Sequence, residues 1–169
     1  MSVGVKVRAA TLEDVGAVVA LERSVAQAPH WAEREYVAMV ENTAGEGVRR
    51  CLLVAESHGE LVGFAVGRAV GRKEVLGELE SVGVAARARR AGTGKALCEA
   101  VIAWCRGQGA DAVELEVRST SAGPMALYEK LGFIRVGMRK GYYREPADDA
   151  VVMRVELSGG RRGRTADGG

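Results

Sequence analysis

The chain has 169 residues, the length of one ordinary domain, and its 47% hydrophobic content excludes intrinsic disorder for the body of the protein. Its apolar runs are only a handful of residues long, too short to cross a bilayer, and "MSVGVKVRAATLEDV" carries neither the apolar core nor the cleavage site of a secretory leader. A net charge of +2 does not by itself imply a nucleic-acid partner, and Cys51, Cys98 and Cys105 form neither a CxxC pair nor an even disulfide set, so a reduced, cytoplasmic chain is expected.

In chain order, "VGVKVRAA" alternates and reads as a strand. Thr11 offers a helix cap with Asp14 three residues on, ahead of an apolar stripe through Leu12, Val15, Val18, Val19 and Val25. "HWAEREYVAMVEN" predicts a second helix, and "RCLLVAES" and "ELVGFAVGRAV" predict two strands joined by the turn "SHGE". "ELESVGV" over 78–84 is a fourth strand. A helix from about Thr93 to Arg106 follows, its apolar positions Leu97, Val101, Trp104 and Cys105 recurring at helical steps. "DAVELEVR" is a fifth strand, and "AGPMALYEKLG" a short helix ending at Gly132. "FIRVGMR" and "AVVMRVEL" are two final strands, with "KGYYREPADD" read as a loop between them. The order β-α-α-β-β-β-α-β-α-β-β predicts an α/β fold: a central mixed β-sheet of about seven strands flanked by about four helices. No linker divides it, so residues 1–157 are expected to form one domain and the Gly/Arg-rich residues 158–169 a disordered tail.

Between the fourth strand and the third helix lies "RARRAGTGK". Amides at a helix N-terminus point outward unpaired, and glycine lets an anion approach the backbone closely. Residues Arg90, Ala91, Gly92, Thr93, Gly94 and Lys95 therefore read as a phosphate cradle, or as an Arg-rich turn whose glycines serve packing. Neither GxxxxGK[ST] nor GxGxxG is present, which excludes the P-loop and the dinucleotide fingerprint.

"RRAGTGKAL" resembles the (Q/R)-x-x-G-x-(G/A) motif of the Gcn5-related N-acetyltransferase (GNAT) superfamily, in the same strand–motif–helix setting. "ELEVRSTSAGPMALYEKLGF", "GMRKGYY", "DDAVVM" and the earlier "PHWAEREY" resemble the bacterial ribosomal-protein-alanine N-acetyltransferases. The resemblance implies acetyl-coenzyme A as co-substrate and no metal. Residues 90–95 would hold its pyrophosphate, while Val82, Gly83 and Val84 would line its pantetheine arm. Ser121 stands where the family often has a cofactor-binding asparagine, and Ala85-Ala86 where it often has Asp-Pro. Glu116 takes the position of the general base and Tyr128 that of the acid; Glu80, on the preceding strand, is a rival base.

The expected acceptor is the N-terminal α-amine of a protein or peptide, a ribosomal protein among the candidates. An α-amine is about 3 kcal/mol easier to deprotonate at neutral pH than a lysine. The alternative is a small-molecule amine, whose decision would fall to loops 26–36, 69–77 and 138–149. These carry acids and bases in mixture, unlike a pocket for a polycation. A non-catalytic coenzyme sensor or an RNA-binding protein is the third reading. Intact Glu116 and Tyr128 oppose a dead enzyme, and no aromatic residue lies in 85–95 to stack a base, so no direct nucleic-acid binding is expected. No membrane partner is expected, and the oligomeric expectation is a monomer or weak dimer. His30 and His58 lack a partner at ligand spacing, and the three cysteines read as buried small hydrophobes.

Overall fold

A computed structural model describes residues 4–25, 28–42 and 47–157. Strand β1 (Lys6–Ala9) leads through a 3-10 turn (Leu12–Asp14) into α1 (Val15–Ser24), then α2 (Glu33–Glu41). Asp14 explains the turn: its carboxylate accepts the Thr11 amide at 2.7 Å and Arg8 Nη1 at 2.7 Å, closing the helix entry from both sides. Strands β2 (Val48–Ser57) and β3 (Glu60–Val70) form a hairpin whose turn residues, His58 and Gly59, both have positive φ (53° and 78°), the type the right-handed strand twist favours. Strand β4 (Val75–Val84), α3 (Thr93–Gly107), β5 (Ala110–Arg118), α4 (Ala122–Lys130), β6 (Ile134–Arg144) and β7 (Ala147–Glu156) follow. They complete a mixed sheet of seven strands flanked by four helices, as the element order predicts, and the strands lie in the order β1-β2-β3-β4-β5-β7-β6.

Two apolar layers cover the sheet. Alternation along β3 sends Phe64 and Val66 towards Val15, Val18 and Tyr36 of α1 and α2, and Ala65 and Ala69 towards Leu97, Val101 and Cys105 of α3. Helix α3 lies close because the strands beneath it carry glycine. A Cβ at Gly63, Gly67 or Gly77 would stand 2.9, 2.9 or 2.7 Å from Leu97, Val101 or Cys105, residues one helical turn apart.

The interior of the sheet is interrupted at one place. β4 and β5 pair in parallel from Val75↔Ala110 to Glu78↔Glu114, and no strand among the described residues continues that pairing. Beyond Glu78, β4 is bonded to β3 alone, and β5 continues on β7 alone. One extra residue on β4 marks the parting: Gly67 faces Leu79 and Val66 faces Ser81, leaving Glu80 as a bulge that bends the strand away.

The structure alters three local expectations. β4 begins at Val75 rather than 78, and the first helix begins with a 3-10 turn. Residues 140–149 are not a loop: β6 and β7 run on to Arg144 and from Ala147, with only Glu145 and Pro146 between them. Charged and glycine residues there hide a strand signal because β6 is an exposed edge strand, where no buried face enforces alternation. The expectation for 158–169 lies outside the described residues. No described helix is long and apolar enough to cross a membrane.

Candidate active site

The opening begins at the N-terminus of α3. Gly92 takes the left-handed cap conformation (φ 82°), and Arg90 is also left-handed (φ 65°). The first helical bond runs from Ala96 N to Gly92 O at 3.0 Å, so the amides of Thr93, Gly94 and Lys95 precede any intrahelical acceptor. Thr93 turns its hydroxyl inward to Ala88 O at 3.3 Å and is itself buried. A Cβ on Gly92 would meet no atom within 4 Å, and Arg89, Arg90 and Lys95 surround the turn as exposed cations. Open space over unpaired donors, ringed by positive charge, fits the diphosphate of a nucleotide coenzyme.

Val82 and Val84 on β4 line the next part of the opening, half-buried against the α3 layer. Gly83 has a different neighbour: a Cβ there would stand 2.3 Å from Phe64 Cε1, so its glycine belongs to the core. Ser121 lies at the start of α4, buried, its carbonyl accepting Met125 N at 3.1 Å and its amide bonded to Arg118 O.

Four carboxylates share the sheet face opposite α3 around the parting: Glu78, Glu80, Glu114 and Glu116. Glu80 is gripped by both Arg50 Nε (2.9 Å) and Nη2 (3.1 Å), and Glu114 by Arg154 at 2.8 Å. Glu116 pairs with Arg139 Nε at 3.0 Å and accepts the Tyr142 hydroxyl at 3.4 Å. Glu78, where the strands part, has Arg68 at 3.3 Å. Burial pushes its carboxyl above the usual range, and neighbouring Glu80 and Glu116 add to this against the pull of Arg68.

Tyr128 sits on the other side of the sheet. Its ring packs edge-on to Phe133 at 5.9 Å among the residues under α3, while Glu116 alternates with Leu115 and Val117 of that same layer. The two thus belong to opposite faces of the sheet. Burial pushes the Tyr128 phenol upward, with Cys98 and Tyr143 as further contributors, so it holds its proton throughout the neutral range. The thiols are inert for the same reason: burial raises Cys51 and Cys98 to about 12 and Cys105 to about 11. No cluster of potential metal ligands occurs among the described residues.

Residues 82–84 follow Glu80 along the part of β4 that has left β5, residues 90–95 lead from it into α3, and Glu116 lies on β5 across the parting, while Ser121 and Tyr128 belong to the start and body of α4. Sequence reasoning missed Glu78, although "ELESVGV" places it two residues before Glu80. It also missed Arg139 and Tyr142 as partners of Glu116, which no local pattern announces because they reach it from β6.

Comparison with known proteins gives the same frame. The chain is 38% identical over 101 residues to the N-alpha-acetyltransferase RimI of Mycobacterium tuberculosis, a match spanning 59% of this chain and 62% of that protein. It is 28% identical over 130 residues to the ribosomal protein bS18-alanine N-acetyltransferase of Escherichia coli K12, covering 76% of this chain and 82% of the relative. The crystal structure of the Escherichia coli ribosomal-protein-S18-alanine N-acetyltransferase superposes with a TM-score of 0.73 at 25% identity, over 91% of this chain and 94% of that one. With the acetyltransferase (GNAT) family matching residues 18–133, the greater part of its length, the chain belongs to the GNAT family of acetyltransferases.

Proposed function

We propose that this chain, as one unit over residues 1–157, transfers an acetyl group to the N-terminal α-amine of a protein or peptide of the ribosomal-protein-alanine type in the cytoplasm. The observation that supports the reading is the parting of β4 from β5 beyond Glu78, with the N-terminus of α3 following the freed strand and Glu116 on the strand across from it. Acetyl-coenzyme A would supply an activated thioester there. The main-chain amides of residues 92–95, with Arg90 and Lys95, hold its phosphates, and Val82, Gly83 and Val84 line its arm, with Ser121 beside it.

Glu116 accepts the ammonium proton, which frees the nitrogen lone pair to bond the acetyl carbon. Arg139 must part from Glu116 for this, and the arriving ammonium replaces its positive charge. Tyr128 gives its proton to the sulfur as the carbon–sulfur bond breaks, and the nitrogen, made acidic by its new bond to carbon, returns a second proton to the Tyr128 phenolate; the raised phenol pKa keeps Tyr128 protonated until the sulfur leaves. Glu80 is a poor base in this arrangement because Arg50 occupies both of its oxygens.

The test is incubation with acetyl-coenzyme A and a library of peptides bearing N-terminal alanine or serine, with free amino acids and polyamines as the competing arm. Fragmentation should locate the added mass on the peptide α-amine. Glu116→Gln and Tyr128→Phe should each lower turnover by about 10²–10³-fold while coenzyme affinity changes less than about twofold. Wild-type turnover in both variants would defeat the assignment, and acetylation of small amines alone would defeat the acceptor reading.

A further inference from the structure

Glu22 is a carboxylate with no exposure at all, on a helix facing the sheet, and none of the chemistry above uses it. A buried carboxylate persists only when donors surround it. Here Arg23 Nη1 donates at 2.6 Å, the Tyr36 hydroxyl at 2.7 Å and the Trp31 amide at 2.9 Å, with His30 Nε2 3.9 Å away. Arg23 also donates from Nη2 to the Trp31 carbonyl at 2.9 Å. Both main-chain polar groups of Trp31 are therefore tied, directly or through Arg23, to one carboxylate. That is more constraint than an ordinary connection between two helices carries.

The side chain of Trp31 continues the line. Its ring lies 5.9 Å from the Tyr36 ring, which meets Phe64 edge-on, and the Arg50 guanidinium sits 5.1 Å over its centroid. Stacking settles the plane of the guanidinium, and the fork then engages both oxygens of Glu80. Glu80 is the bulged residue of β4, two positions past its last pair with β5. A chain of contacts thus runs from a buried anchor in α1 to the mouth of the opening.

We propose that Glu22 is a positioning residue for the acceptor: it fixes Trp31, Trp31 seats Arg50, and Arg50 holds the Glu80 carboxylate as a fixed hydrogen-bond acceptor for the N–H groups of the incoming amine. This rests on the reading that the reacting amine enters the opening between β4 and β5. Glu80 takes no proton in this role. Its remaining lone pairs orient the acceptor, and the coenzyme contacts at residues 90–95 are independent of it.

The experiment measures steady-state kinetics for Glu22→Gln, Trp31→Ala, Trp31→Phe and Arg50→Met, with acetyl-coenzyme A binding by calorimetry. The acceptor is whichever amine the wild-type protein acetylates in the screen above. Glutamine at 22 still accepts from Tyr36 and Trp31 but loses Arg23. The acceptor KM should rise about tenfold or more in Glu22→Gln, Trp31→Ala and Arg50→Met, with coenzyme Kd within about twofold of wild type. Trp31→Phe, which keeps a ring under Arg50, should recover most of the loss.

If Glu22→Gln does not fold, the Trp31 and Arg50 variants carry the comparison. A folded Trp31→Ala or Arg50→Met protein with unchanged acceptor KM overturns the proposal, as does a coenzyme Kd that rises in step. The anchor is also checked without an acceptor. In a Trp104→Phe background Trp31 is the sole tryptophan, and Glu22→Gln should shift its emission to the red; an unmoved spectrum overturns the anchoring. Acetylation of small amines with no peptide turnover would defeat the peptide reading alone, since the same kinetic comparison is then made with that amine.

Discussion

A Cβ added at Gly92 would meet nothing within 4 Å, whereas one at Gly94 would rest 3.5 Å from Leu127 Cδ2, an ordinary contact. Gly92 is glycine because its φ is 82° and because the space above it is open to a ligand. Gly94 is in helical conformation, where alanine is favoured by about 0.5–1 kcal/mol. Gly94→Ala should therefore raise the melting temperature slightly and leave coenzyme binding intact. Gly92→Ala should cost about 1–2 kcal/mol in backbone strain and weaken coenzyme binding clearly. Thermal melts with coenzyme titrations of both variants check the pair, and equal loss of binding in the two would refute the distinction. Asp14 offers a residue-scale test of stability. Hydrogen bonds from Arg8, assisted by Thr11, hold its carboxyl well below the usual carboxylate range despite partial burial. A depressed carboxyl contributes stability above its unfolded pKa, about 3.9, and loses it as the pH falls below that towards the folded value. Asp14→Asn should cost about 1–2 kcal/mol at pH 7, and the gap from wild type should close in acid unfolding curves below about pH 4.

At the scale of elements, the β6–β7 hairpin joins the sheet through the pairing of β7 with β5, and its far end, beyond the last pair at Arg118↔Ala150, is held by Arg118. Its guanidinium donates to Pro146 O at 2.8 Å and Glu145 O at 3.2 Å, and lies 4.2 Å over the Tyr143 ring. Asp148 completes the join by accepting the hydroxyls of Ser119 and Thr120, so the loop leading to Ser121 and α4 moves with the hairpin. Arg118→Ala should cost only about 1 kcal/mol, since the contacts are largely exposed, yet should speed amide exchange over residues 141–145. Arg118→Lys should not restore protection, because one ammonium cannot span two carbonyls and stack on a ring. Full restoration by lysine would show that charge alone holds the hairpin. This hairpin is also where reading by local pattern failed. "KGYYREPADD" reads as a loop from its glycine, proline and charges, but those residues suit an edge strand solvated on both faces. The strands with a buried face, such as β5 with Leu115 and Val117 alternating with Glu114 and Glu116, declared themselves.

For the molecule as a whole, the opening separates two groups of strands that meet only over Val75–Glu78 and Ala110–Glu114. A ligand seated there stabilises the folded state by mass action. At 100 times its Kd, acetyl-coenzyme A should add about 2.7 kcal/mol, a rise of roughly 5–11 °C in melting temperature for a chain of this size. Thermal shift measurements across a coenzyme series check this, and no shift at saturating coenzyme would remove the assigned site.

Much of this was legible in the order of residues. Helix periodicity, the Thr11–Asp14 entry, the presence of a hairpin turn at His58-Gly59 and the glycine-flanked start of α3 depend on neighbours within a few positions, and such patterns survive in any single sequence. The tertiary structure decided which strands adjoin, that β4 leaves β5 after Glu78, and which arginine answers which carboxylate: Arg50 from β2, Arg68 from β3, Arg139 from β6 and Arg154 from β7. Those pairings join residues up to 40 positions apart along the chain, and they depend on strand register. Register is set by burying two apolar faces at once, a condition that no local stretch of sequence contains.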